Sequence, residues 1–132
     1  MASILVVDDE NEVAAVVRRV LERAGFAVTV ANSAAAGLSA VAAQEPDIVI
    51  TDVIMPQVNG IELIKILRER YPRVRLIAIS GGGSFGPLAY KPEAISTHAY
   101  LAAARAAGAL EVLTKPFDMT DLLSAVRRVL PN

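Results

Sequence analysis

The run Ser3-Ile4-Leu5-Val6-Val7 passes directly into Asp8-Asp9-Glu10. Four adjacent aliphatic side chains with no polar residue between them fit a strand covered on both faces, as in a parallel sheet flanked by helices. The three acids end the run at once and put a block of negative charge at the carboxyl end of that strand.

Working outward from this stretch, the pattern changes period. Val13, Val16, Val17, Val20, Leu21 and Ala24 recur at the spacing of a helix with one apolar face, and Gly25 stands where such a helix stops. Ala27–Ala31 reads as a second strand. Ser33 can cap an alanine-rich helix with Leu38 and Val41 turned inward and Pro46 beyond its end. Asp47–Thr51 reads as the third strand, followed by a turn with Pro56, Asn59 and Gly60. Ile61, Ile64 and Leu67 then mark a helix that ends before Pro72. Arg75–Ile79 and Leu110–Leu113 supply strands four and five. Asp118 with Asp121 has the form of a capping box opening the last helix. Its stripe is Leu122, Val126, Val129 and Leu130, and its last turn holds Arg127 and Arg128, which suit the negative helix end. Strand and helix thus alternate five times. Parallel neighbours need crossovers, and right-handed crossovers lay helices on both faces. The expected architecture is an open, doubly wound α/β sheet, because a closed eight-fold barrel needs roughly 200 residues or more and this chain has 132.

That length fits one domain, and an apolar fraction of 54% is enough to build its core. With 13 basic against 14 acidic residues the chain lacks the positive excess expected of a nucleic-acid binder. The absence of cysteine excludes disulfides, thiolate metal sites and thiol nucleophiles. The first apolar run is far too short for a signal sequence or a membrane span, so a soluble, cytoplasmic protein is expected.

Open α/β sheets bind ligands beyond the carboxyl ends of their strands. The first strand delivers Asp8, Asp9 and Glu10 there, the third Asp52, the fourth Ser80, and the fifth Lys115 and Pro116. The second delivers Asn32 and Ser33, ordinary cap residues. Singly, each has a plain explanation: acids favour helix N-termini, a serine suits a turn, a lysine suits a wet surface. Their joint placement on one rim is harder to explain that way. Carboxylates brought together repel one another unless a cation intervenes. With hard oxygen donors, no cysteine and the lone His98 elsewhere, the cation expected is Mg²⁺ or Mn²⁺. A carboxylate can attack phosphorus to give an aspartyl phosphate, with the metal, a lysine and a hydroxyl neutralising the transferring group.

Val6-Val7-Asp8-Asp9-Glu10, Asp52-Val53-Ile54-Met55-Pro56-Gln57-Val58-Asn59-Gly60, Ser80 and Thr114-Lys115-Pro116-Phe117 resemble the receiver domains of two-component response regulators, over nearly the whole chain. The resemblance implies a flavodoxin-like (βα)₅ fold with strand order 2-1-3-4-5, forming a single receiver domain over residues 1–132. It implies that Asp52 accepts a phosphoryl group from a phosphohistidine on a sensor histidine kinase or a histidine phosphotransfer protein. Asp9 and Asp52 would ligate Mg²⁺ directly, Asp8 through water, and Ile54 through its backbone carbonyl. Lys115 and Ser80 would hold the phosphoryl oxygens. Glu10 has no assigned part beyond the first helical turn. The chain would be a signalling switch rather than an enzyme, limited to accepting and slowly losing its own phosphoryl group. With only Pro131-Asn132 after the last helix, it would act by docking another protein or passing the phosphoryl group along a relay; a fragment of a larger regulator or hybrid kinase remains an alternative.

Two other functions compete. A phosphatase with an aspartyl-phosphate intermediate often has an acid two residues after its nucleophile, but Ile54 stands there. A phosphorylation-independent scaffold would not need the complete acid, serine and lysine set. Two departures from the receiver pattern bear on output. Receivers usually carry an aromatic residue three positions before the lysine; here it is Val112, so rotation of a buried aromatic ring is not the readout. The stretch between Ser80 and Lys115 also exceeds the usual length by about a dozen residues, as an inserted loop between strand 4 and helix 4. Gly81-Gly82-Gly83, Phe85, Pro87, Tyr90 and Pro92 read as an extended loop, with helix resuming near Ile95 and stopping at Gly108. Its position directly after Ser80 suggests that it reorders on phosphorylation and forms a surface for a downstream protein, against the alternative of a neutral surface insertion. Hydrogen exchange over residues 81–98, with and without a phosphoryl mimic, is expected to change; unchanged protection would remove the insertion from the switch.

Overall fold

The structure, a computed structural model, describes residues 2–53, 60–80, 102–114 and 117–130. Five strands form one parallel sheet: β1 (Ser3–Val7), β2 (Ala27–Ala31), β3 (Ile48–Asp52), β4 (Arg75–Ser80) and β5 (Glu111–Thr114), in the order β2-β1-β3-β4-β5. The helices are α1 (Asn11–Arg23), α2 (Ala34–Ala43), α3 (Gly60–Arg70), α4 (helical residues 102–107) and α5 (Met119–Val129). The architecture and strand order are those expected. The inserted stretch, with His98, Phe85, Tyr90 and Tyr100, lies outside the described residues.

Alternation along each strand sorts the core into two layers. Leu5, Val7, Val49, Val53, Leu76 and Ala78 pack with Val41 of α2, Leu63, Ile64 and Leu67 of α3 and Ala104 of α4. Ile4, Val6, Ile48, Ile50, Ile77 and Ile79 pack with Val17 and Leu21 of α1 and Leu122, Val126 and Val129 of α5. The central strands are therefore buried on both faces, which is why β1 and β3 read as unbroken aliphatic runs.

Local signals fix most ends. Ser33 Oγ accepts from Ala36 N at 3.1 Å and Asp118 Oδ1 from Asp121 N at 2.8 Å, capping α2 and α5. Gly25 and Gly108 stop α1 and α4 at φ of 99° and 137°, a backbone conformation that costs other residues strain. Boundaries of β3, β4, β5 and α3 differ from expectation, β4 running one residue further, to Ser80. β3 starts and ends one residue later, because Asp52 still pairs with Ile79 while Asp47 serves the strand entrance, its carboxylate accepting from Ser3 N at 2.8 Å. β5 also begins one residue later; Leu110 N donates to Leu76 O, yet its side chain is half exposed. Gly60 is the first residue of α3 rather than part of the preceding turn. On α1, Val16 turns outward at 49% exposure although it matches the apolar spacing, because Ala14, Val17 and Leu21 fill the seam on the sheet. No helix among the described residues is long and apolar enough to cross a membrane.

Leu122 is 1% exposed and belongs to the layer between α5 and the sheet. Leu122→Ala is expected to cost about 2–5 kcal/mol, read as a lower urea midpoint with an unchanged m-value.

Candidate functional site

The chain leaves β1 toward β2 and returns across β1 to β3, so the connections after β1 and β3 diverge and open a crevice at their carboxyl ends. The residues at that point are acids. Asp8 follows β1 at 2% exposure and Asp52 closes β3 at 1%. Asp52 continues the alternation of Ile48 and Ile50, which sets it on the α1/α5 side of the sheet.

The loop carrying the first acids is tied down at several points. Asp8 N donates to Ala31 O at 3.0 Å, extending β1 along β2 by one bond. Asp8 Oδ1 accepts from Glu10 N at 2.9 Å, bending the chain into α1. Glu10 O takes Ala14 N at 3.0 Å and so starts the helix. The side chains of Asn32 and Asn11 join at 2.6 Å, holding the first residue of α1 against the end of β2.

This folding gathers three carboxylates. One oxygen each from Asp8, Glu10 and Asp52 lies within 4.8 Å of the others. Asp9 points to solvent and stands outside that group. Glu10, given no ligand part by the sequence, is half buried and inside it. The signal was its place two residues after Asp8, since a tight turn returns the second residue to the same side. Opposite ligands on Mg²⁺ stand about 4.2 Å apart, so three hard oxygens confined in this way suit Mg²⁺ or Mn²⁺ and not a soft metal.

The other expected residues stand partly in view. Ser80 closes β4, one residue beyond Ile79, the β4 partner of Asp52, and pairs through its backbone with Thr114 of β5. Thr114 directly precedes Lys115 in the chain; Lys115 itself, Ile54 and the remainder of 54–59 lie outside the described residues. Val112 pairs with Ala78 and packs against the α2–α4 layer, where a ring at that position would have stood.

Comparison with known proteins agrees with this arrangement. The model of the response regulator receiver domain matches residues 4–127. The chain is 34% identical over 131 residues to the DNA-binding transcriptional regulator NtrC of Azospirillum brasilense, an alignment covering 98% of this chain and 24% of that protein. It is 32% identical to the photosynthetic apparatus regulatory protein RegA of Rhodobacter capsulatus, covering 94% of this chain and 60% of RegA. The chain thus spans about a quarter of the NtrC relative. Among solved structures, the receiver domain of NtrX from Brucella abortus superposes with a TM-score of 0.82 at 26% identity, over 96% of this chain and 97% of that one. The chemotaxis response regulator CheY4 of Vibrio cholerae gives 0.80 at 29% identity, over 98% and 99%.

Magnesium at about 100 times its Kd is expected to add about 2.7 kcal/mol of stability, seen as a raised Tm. Asp52→Asn should raise Tm in metal-free buffer, one of three repelling charges being gone, and abolish most of the magnesium increment. An increment that survives in Asp52→Asn would place the metal elsewhere.

Proposed function

The chain belongs to the response regulator receiver domain family, and from that premise we propose that it is a phosphoryl-accepting switch whose acceptor is Asp52. Receiver domains of two-component response regulators are signalling switches and not enzymes in the usual sense. The observation that carries the assignment to Asp52 is its position: a buried carboxylate at the end of a central strand, grouped with two further carboxylates.

The donor is a phosphohistidine of a sensor kinase or a histidine phosphotransfer protein. An Asp52 oxygen attacks phosphorus, the nitrogen–phosphorus bond breaks, and the leaving imidazole takes up a proton. Burial holds the attacking oxygen in one orientation and keeps bulk water from its strand side. Asp8 and Asp52 would hold Mg²⁺, Asp8 through water, together with the Ile54 carbonyl. Asp9, exposed beside the group, and Glu10, inside it, are the two acids that would complete its ligands. Bound Mg²⁺ supplies positive charge to the phosphoryl oxygens. Lys115 and Ser80 would pair with phosphoryl oxygens. The modified rim then docks a downstream protein.

Incubation with acetyl phosphate and Mg²⁺ is expected to give a labile mass adduct on the native protein and none on Asp52→Ala. An adduct of equal yield on Asp52→Ala would overturn the assignment.

A further inference from the structure

One buried polar residue at the site has no part in the chemistry so far. Thr51 is fully buried and its side chain belongs to the face opposite Asp52, toward the α2–α4 layer. Its hydroxyl donates to the backbone carbonyl of Asp52 at 3.0 Å. The β1–β3 pairing runs from Ile4–Ile48 to Val7–Thr51, one residue before Asp52. The Thr51 hydroxyl meets that carbonyl where the ladder stops.

The same carbonyl is met from another side. A Cβ built on Gly60 would fall far inside van der Waals contact distance of the Asp52 carbonyl oxygen and 2.7 Å from Val53 Cα. Gly60 N donates to Val53 O at 2.8 Å, and Val53 N to Ile79 O at 2.8 Å. The Asp52–Val53 peptide is thus held by the Thr51 hydroxyl and by β4, while Gly60 of α3 closes against it and binds the carbonyl of the next peptide.

We propose that Thr51 and Gly60 are positioning residues for Asp52, fixing the peptide plane that follows it and so the direction of its carboxylate. The inference rests on the acceptor reading of Asp52 and adds to it the device that aims the acceptor. A threonine in a strand can also serve only as a β-branched core residue. The two roles differ in whether the hydroxyl matters.

Thr51→Val keeps the shape and removes the hydroxyl; Thr51→Ser keeps the hydroxyl and loses the methyl. The expected result is that Thr51→Val lowers both Mg²⁺ affinity, by calorimetric titration, and the acetyl phosphate rate constant at saturating substrate, each by about five-fold, the scale of one hydrogen bond. Thr51→Ser stays within about two-fold of wild type on the same scale, with urea midpoints confirming that both variants are folded. Wild-type affinity and rate in Thr51→Val would overturn the proposal, as would an equal loss in both variants, which would assign the effect to packing. A wild-type protein that forms no Asp52-dependent adduct would sink the acceptor reading instead; the magnesium titrations of the two variants would then decide the positioning role alone.

Discussion

β3 lies between β1 and β4, with Val7 opposite Thr51 on one side and Ile79 opposite Asp52 on the other, and this register governs the molecule. In a parallel sheet a slip of one residue would move every side chain of β3 to the other face. Asp52 would then enter the α2–α4 layer, Thr51 would take its place, and Ile48 and Ile50 would leave their layer. With both faces apolar and fully covered, the burial of Ile48, Val49 and Ile50 holds the register, each contributing about 1.5–3 kcal/mol. Asp52 is placed by the same packing that makes the core.

This register gathers like charges. Three ionised carboxylates within 4.8 Å repel by roughly 3–4 kcal/mol per pair at an effective dielectric of about 20, before any compensating contact. That is a sizeable share of the 5–15 kcal/mol by which a domain of this kind is stable. The surrounding fold holds the cluster against the repulsion through the bonds of Asp8 N to β2, Asp8 Oδ1 to Glu10 N, and Asn11 to Asn32. A divalent cation placed among these oxygens would relieve that repulsion.

The rim is also asymmetric. On the β1 side the loop is pinned to β2 and to the start of α1. On the β4 side, Ser80 and Thr114 end their strands side by side and lead into the inserted stretch and Lys115. Val112, in place of an aromatic residue, packs against the α2–α4 layer, so no ring stands at that position to rotate.

Much of this was legible in the residues themselves. The unbroken aliphatic runs fixed the buried parallel strands, the i, i+3, i+4 spacing fixed the helices, and Ser33, Gly25, Asp118 and Gly108 fixed their ends, because each signal acts over a few residues of chain. The ordered acids, serine and lysine at strand ends sufficed to name the family and nominate Asp52. The one-residue shifts of β3 and β5, the outward turn of Val16 and the meeting of Asp52 with Asp8 and Glu10 were decided by tertiary structure. They depend on which strand lies beside which and where each pairing ends, and those pairings join residues far apart in the chain, Ile4 with Ile48 and Asp52 with Ile79, beyond the reach of any local pattern.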